Sequence, residues 1–283
     1  MSESLTEPRT LAPPERRLAR VTLNRSLGAY RVISALDSFG PRDPRPGQFY
    51  MLAAAEGWGG GEDERPYLPR AFSYARARPS PEGLELEFLL EAIGPGTKRL
   101  AALEAGEELA LVGPLGVGFR PSSAPAVLVG GGIGTAPLVC LEEELRGAGA
   151  PHAVLLGFRS ALHARAAELF PAGAELATDD GSVGRPALVT ELLHERLDGE
   201  PPASVCVYAC GPPPMLEAVR FACAERAVPA QLALESGMAC GFGACFGCVV
   251  PTRKGYVRLC LDGPVLDGDG LETALYPGAG HSS

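Results

Sequence analysis

The chain has 283 residues, 46% of them hydrophobic and 21% charged, with a net charge of −9. This is the composition of a globular protein long enough for more than one core. The acidic balance disfavours phosphate backbones, and no apolar run approaches the roughly 20 residues that span a bilayer, so neither a nucleic acid nor a membrane is an expected partner.

The first 17 residues contain Glu3, Glu7 and Glu15 and no apolar stretch of the signal-peptide kind. They are expected to form a mobile tail, and the chain to work in the reducing cytoplasm. There its eight cysteines would not form a disulfide framework. Next come six short apolar or alternating runs, "RVTLNRS", "AYRVISAL", "GQFYMLAA", "RAFSYARA", "LELEFLLEAI" and "ELALVGPLG", separated by proline and glycine. They predict an antiparallel barrel or sandwich over residues 18–121. A glycine-rich acidic loop, Gly57 to Pro69, interrupts them, and one helix is expected from Thr97.

From about Pro125 strand-like and helix-like segments alternate: "AVLVGGG", "APLVCLEEELRGAG", "HAVLLGFRS", "HARAAELF", "AELATDDGS", "PALVTELLHERL", "SVCVYACGP", "PPMLEAVRFACAERAV" and "AQLALES". This order predicts βαβ units on a parallel sheet over residues 122–231. The fold expected is therefore multidomain α+β: a barrel, an α/β domain and a small cysteine-bearing module over residues 232–283.

That module holds Cys240, Cys245, Cys248 and Cys260, spaced C-x4-C-x2-C and then eleven residues to the last. A disulfide pair, a structural zinc site and a [2Fe–2S] cluster compete for it. Zinc sites usually use two C-x2-C-like knuckles, and only one is present. The first three cysteines match the plant-type [2Fe–2S] spacing, and Cys260 is the only cysteine after them. Gly241, Gly243 and Gly247 would let the backbone wrap a cluster closely. Cys140, Cys206 and Cys223 read as buried small hydrophobes.

Three further motifs are weaker alone. In "RAFS" Arg70 could be a surface cation. The "GPGT" turn, with Thr97 expected at the N-cap, suits a pyrophosphate or simply caps a helix. "VGGGIGTAPL" is a strand, glycine turn and helix in which Gly131, Gly132 and Gly134 would permit close approach of a nucleotide, though Thr135 stands where a full G-x-G-x-x-G has its last glycine.

Taken in order, "RAFS", "GPGT", "GPLGVGF", "GGGIGTAPL", "TDDGSVG", "CGPPPML" and "ESGMACGFGACFGCVV" resemble the ferredoxin–NADP reductase superfamily. Within it they are similar to the electron-transfer subunits of NAD-dependent (class 1B) dihydroorotate dehydrogenases. The resemblance covers nearly the whole chain and implies FAD in the barrel, NAD on the α/β domain and a C-terminal [2Fe–2S] cluster. It implies that Arg70, Ala71, Phe72, Ser73, Gly96 and Thr97 hold FAD, with main-chain contacts from Leu89, Leu90 and Glu91. Gly131, Gly132, Gly134, Gly211 and Pro212 would bind the nucleotide, Cys210 would border hydride transfer, and the four cysteines would ligate the cluster. Arg159 stands where adenosine phosphates are often discriminated, leaving NAD and NADP both open. The implied activity is oxidoreductase: electrons pass from an FMN-containing catalytic subunit through the cluster and FAD to NAD+, in a heterotetramer with two copies of each subunit. An NAD(P)H-linked reductase serving ferredoxin, polysulfide or another acceptor is the alternative; a zinc-stabilised nucleotide-binding module is a non-enzymatic one. Ala71 departs from the proline common at its position, and the 57–69 loop has no assigned role.

Overall fold

The computed structural model describes residues 15–59 and 66–276. Most of the expected tail, the middle of the glycine-rich loop and the C-terminal "PGAGHSS" lie outside the described residues. All six expected β runs form strands: β1 (Arg16–Leu27), β2 (Tyr30–Asp37), β3 (Phe49–Ala54), β4 (Arg70–Ser80), β5 (Gly83–Leu90) and β6 (Glu108–Leu115). They close into an antiparallel barrel in the order β1-β2-β5-β4-β3-β6. Alternation of side chains decides which face is inside. Tyr50, Leu52 and Ala54 of β3 enter the barrel core, while Phe49 and Met51 face outward and are buried by the rest of the molecule. The first helix, α1 (Pro95–Ala101), lays Leu100 into that core.

The barrel's pairing is irregular at three places, between Val21 and Leu23, between Phe49 and Met51, and along β4. β3 pairs with β4 from Phe49↔Ser73 to Leu52↔Arg70. On its other edge β4 pairs with β5 only from Tyr74↔Phe88 onward, with a bulge between Tyr74 and Arg76. The "RAFS" backbone therefore has a strand on one side and a gap on the other.

The second half is a seven-stranded sheet. Its strands are β7 (Ala126–Gly131), β8 (His152–Phe158), β9 (Glu175–Thr178), β10 (Arg185–Pro186), β11 (Cys206–Cys210), β12 (Ala230–Ala233) and β15 (Val265–Asp267), in the order β10-β9-β8-β7-β11-β12-β15. All pairs are parallel except β12 with β15. Every residue of β7 and β11 is buried, as continuous apolar runs in a sheet covered on both faces require. Helices α2 (Ala136–Gly147), α3 (Ala161–Ala164), α4 (Val189–Leu197) and α5 (Pro213–Glu225) supply the crossovers. β13 (Val249–Thr252) and β14 (Gly255–Arg258) form a hairpin, followed by α6 (Leu259–Asp262). β1 begins at Arg16, inside the stretch expected as tail, and β12 spans the boundary expected at residue 232.

The two halves are joined by buried charge. Arg76 of β4 donates to Glu87 of β5 at 2.7 Å, to Glu143 of α2 at 2.6 Å and to the carbonyl of Leu169. Arg76 and Glu87 side chains are both nearly inaccessible. Cys140 of α2 lies against the Tyr74 carbonyl beside them.

Candidate functional site

In an open α/β sheet, ligands bind beyond the carboxyl ends of the strands where the order of winding reverses. Here the chain winds outward from β7 through β8 to β9, then returns to β11, so the reversal lies between β7 and β11. The turns that follow these two strands are "GGIGT" and "CGPPP", both single out in the sequence. The structure brings them into contact. A Cβ on Gly134 would stand 2.6 Å from Gly211 Cα and 2.7 Å from the Cys210 carbonyl carbon. One on Gly131 would stand 2.9 Å from Pro212 Cδ. Gly132 has φ +54°, the left-handed region that favours glycine. These glycines are thus required by packing and by backbone conformation. Just beyond them Thr135 is fully buried, and among the described residues its hydroxyl has no hydrogen-bond partner. Burial first, then the charge of Glu235, pushes the Cys210 thiol well above its ordinary range, so it stands neutral beside the crevice.

Arg70 opens β4 at the barrel gap. Its guanidinium packs on the first turn of α1, where a Cβ on Gly96 would fall 2.8 Å from Arg70 Nε. Among the described residues its hydrogen-bond partner is the Leu68 carbonyl, and no carboxylate neutralises it. An unneutralised guanidinium seated on a side-chain-free turn fits a diphosphate. Thr97 is not the N-cap. Gly94 is, and Pro95 takes the first helical turn, where its fixed φ and missing N–H cost nothing. Thr97 instead turns its hydroxyl back to accept from the Ile93 and Gly94 amides at 3.0 and 2.9 Å, which fixes the turn. Leu89 and Leu90 pair with Val32 and Arg31 of β2 and are buried. Ala71 is exposed, while Phe72 and Ser73 are half-buried along the gap.

Glu91 points elsewhere. It accepts from Arg159 at 2.9 Å, and His163 lies 3.5 Å away. Arg159 is thus held across the junction by a carboxylate of the barrel. Tyr30 of β2 meets the His163 ring edge-on, and its hydroxyl lies 3.9 Å from where a Gly132 Cβ would be. Burial and the Glu91 charge raise the Tyr30 hydroxyl far beyond its ordinary range.

The four cysteines gather as two pairs. Burial raises the Cys240 thiol, but main-chain hydrogen bonds from Cys245, Phe242 and Ala244, with the Cys245 thiol, outweigh it and bring Cys240 down to about 7. The Cys260 thiol lowers Cys248 to about 6 and is itself raised in return. Two irons, each taking two thiolates, match this paired arrangement. The donor set fits a [2Fe–2S] cluster. Cys248 and Cys260 are buried, Cys240 is partly exposed and Cys245 exposed. Gly241 and Gly243 have φ of +81° and +85°, whereas Gly247 does not lie in that region; Phe246 does, at +58°. Gly247 donates its amide to Cys245 Sγ at 3.4 Å.

Residues 235–272 match the family model described as the iron–sulfur cluster binding domain of dihydroorotate dehydrogenase B. Across the wider chain, the dihydroorotate dehydrogenase B (NAD(+)) electron transfer subunit of Shouchella clausii is 38% identical over 232 residues, covering 78% of this chain and 84% of the relative. The chain belongs to the family of dihydroorotate dehydrogenase B electron-transfer subunits. A probable member from Methanopyrus kandleri is 36% identical, covering 92% of this chain and 93% of its own. The fold of the family is shared with an NADH-dependent reduced ferredoxin–NADP oxidoreductase (TM-score 0.77, 24% identity, 91% and 90% coverage). It is shared also with a ferredoxin NADP+ reductase from Neisseria gonorrhoeae (TM-score 0.59, 18% identity, 75% and 91% coverage).

Two features of this family member were not apparent in the sequence. Glu235 lies two residues beyond β12 at the β7/β11 crevice, its carboxyl raised by burial, and Tyr276 donates to its carbonyl. An acidic residue directly after a buried strand is the signal that marks it. Met51 and Leu115 form the barrel wall under the cysteine loop, where a Gly241 Cβ would fall 2.4 Å from Met51 Cγ and 3.0 Å from Leu115 Cδ1; an outward apolar residue on a barrel strand is their only mark.

Proposed function

We propose that this chain is the electron-transfer subunit of an NAD-dependent dihydroorotate dehydrogenase, an oxidoreductase of pyrimidine biosynthesis. It passes electrons from an FMN-containing catalytic subunit through [2Fe–2S] and FAD to NAD+. The observation that carries the reading is contact between three stations. The cysteine loop rests on the flavin barrel at Met51 and Leu115, and the barrel meets the nucleotide turn at Tyr30. The reading of a reductase serving ferredoxin or polysulfide gives way, because relatives at 34–38% identity are named as dihydroorotate dehydrogenase B subunits.

A cluster carries one electron, a nicotinamide accepts two as hydride, and a flavin exchanges with both. The chain's own residues supply the setting. Arg70 and the Gly94–Thr97 turn would hold the FAD diphosphate, and Ala71, Phe72, Ser73 and the Leu89–Glu91 main chain would line the flavin. Gly131, Gly132, Gly134, Gly211 and Pro212 would admit NAD backbone-close, with the neutral Cys210 beside the nicotinamide. Cys248 and Cys260 would face inward and Cys245 outward, so that the exposed side serves the partner. We assign residues 18–121 to FAD, 122–231 to NAD and 232–283 to the cluster, and expect a cytoplasmic heterotetramer with two of each subunit. Among the described residues no helix is long and apolar enough to cross a membrane.

Coexpression with a candidate FMN subunit tests the reading. A stable complex that reduces NAD+ with dihydroorotate is expected. No complex, with ferredoxin reduced instead, would overturn it.

A further inference from the structure

We infer that Trp58 is a binding residue for the diphosphate of FAD, an inference that rests on the FAD reading above. Trp58 is the chain's single tryptophan and stands in the loop after β3 to which no motif assigned a role. Its indole lies beside Arg70, whose guanidinium carbon is 5.9 Å from the ring centroid. It packs against the barrel core, as Phe72 and Ala101 do. Gly57 (φ +67°) ties this part of the loop to α1, since a Cβ there would meet Arg99 Nε at 3.0 Å.

The indole Nε1 is buried and, among the described residues, has no hydrogen-bond partner. Packing accounts for the ring, but not for the nitrogen. An indole N–H can only donate, and a buried donor without an acceptor is unfavourable enough that native proteins rarely keep one. The acceptor must therefore arrive with a ligand. The neighbouring groups define that ligand: Arg70 has no carboxylate partner among the described residues, and its guanidinium lies directly on Gly96, where a Cβ would stand 2.8 Å from Nε. Arg70 supplies charge and Trp58 a neutral, directional donor for one diphosphate. A flavin without phosphate would gain nothing from Trp58.

Affinity measurements on the full chain, stripped of flavin, test this. Trp58→Phe keeps the ring and removes the N–H. It should weaken FAD roughly tenfold, as loss of a hydrogen bond to a charged group does, and leave riboflavin binding unchanged. In wild type, ADP should change the emission of the lone tryptophan saturably, and Arg70→Ala should abolish that change. FAD affinity unaltered in Trp58→Phe, an equal loss for riboflavin, or emission insensitive to ADP would each overturn the inference. A wild-type chain that binds no FAD would reject the flavin reading itself, and this inference with it.

Discussion

Gly241 and Met51 are separated by most of the chain, yet no side chain larger than hydrogen fits between them: a methyl group on Gly241 would stand 2.4 Å from Met51 Cγ. The same glycine has φ +81°, so space and backbone conformation both exclude other residues. Gly241→Ala is expected to destabilise the chain by about 1–3 kcal/mol and to lift the cysteine loop from the barrel. Iron content and visible absorbance should fall while bound FAD is kept; full cluster occupancy with an unchanged melting temperature would refute the contact's importance.

Cys245 is the exposed member of its pair. Cys245→Ser should lose the cluster, read as iron and sulfide content, yet retain FAD and NADH oxidation by artificial dyes. Loss of dye reduction with FAD still bound would mean that the cluster lies between NADH and the flavin.

Arg70→Ala removes the guanidinium that packs on Gly96. FAD affinity should fall about 10- to 100-fold, the weight of one or two charge-assisted hydrogen bonds. Flavin fluorescence measures this, and native affinity would reject the assignment.

Arg76→Met should cost about 3–5 kcal/mol, because it leaves the buried Glu87 without its cation. Adding Glu87→Gln and Glu143→Gln should restore much of the loss. Calorimetry decides: a small penalty for the single variant would show that the junction does not depend on this pair.

Burial raises the Glu235 carboxyl, so its folded pKa lies above the ordinary value of about 4.3. As pH rises, the unfolded chain gives up this proton first. Stability from the group is therefore complete below the ordinary value and lost as pH climbs through the raised one. Glu235→Gln should melt higher than wild type at pH 8, with the difference vanishing below about pH 4. An equal difference at both pH values would show another cause.

Much of the fold was legible because its signals are local. The six barrel strands carry alternating runs and glycine or proline breaks, and the cysteine spacing falls within a few residues. What escaped is long-range or very short. Nothing near Met51 announces a cysteine loop 190 positions away, and the three residues of β15 are too few to show a period. Thr97 was misplaced as the N-cap because a hydroxyl before a helix is the usual signal, whereas Pro95 let the helix start two residues earlier. Arg159 stands in the sequence where adenosine phosphates are often discriminated, and its carboxylate partner Glu91 is 68 positions away, beyond the reach of any local signal.

The antiparallel strand β15 has a consequence for how such chains can be rebuilt. It lies after all four cysteines, yet it covers β12 from Gln231↔Asp267 to Ala233↔Val265. A truncation at the end of β12 would bare an apolar sheet edge, an invitation to aggregate. The cysteine segment is therefore not a detachable cassette. Grafting it onto another flavoprotein, or trimming it to leave a minimal diaphorase, would require a substitute edge strand.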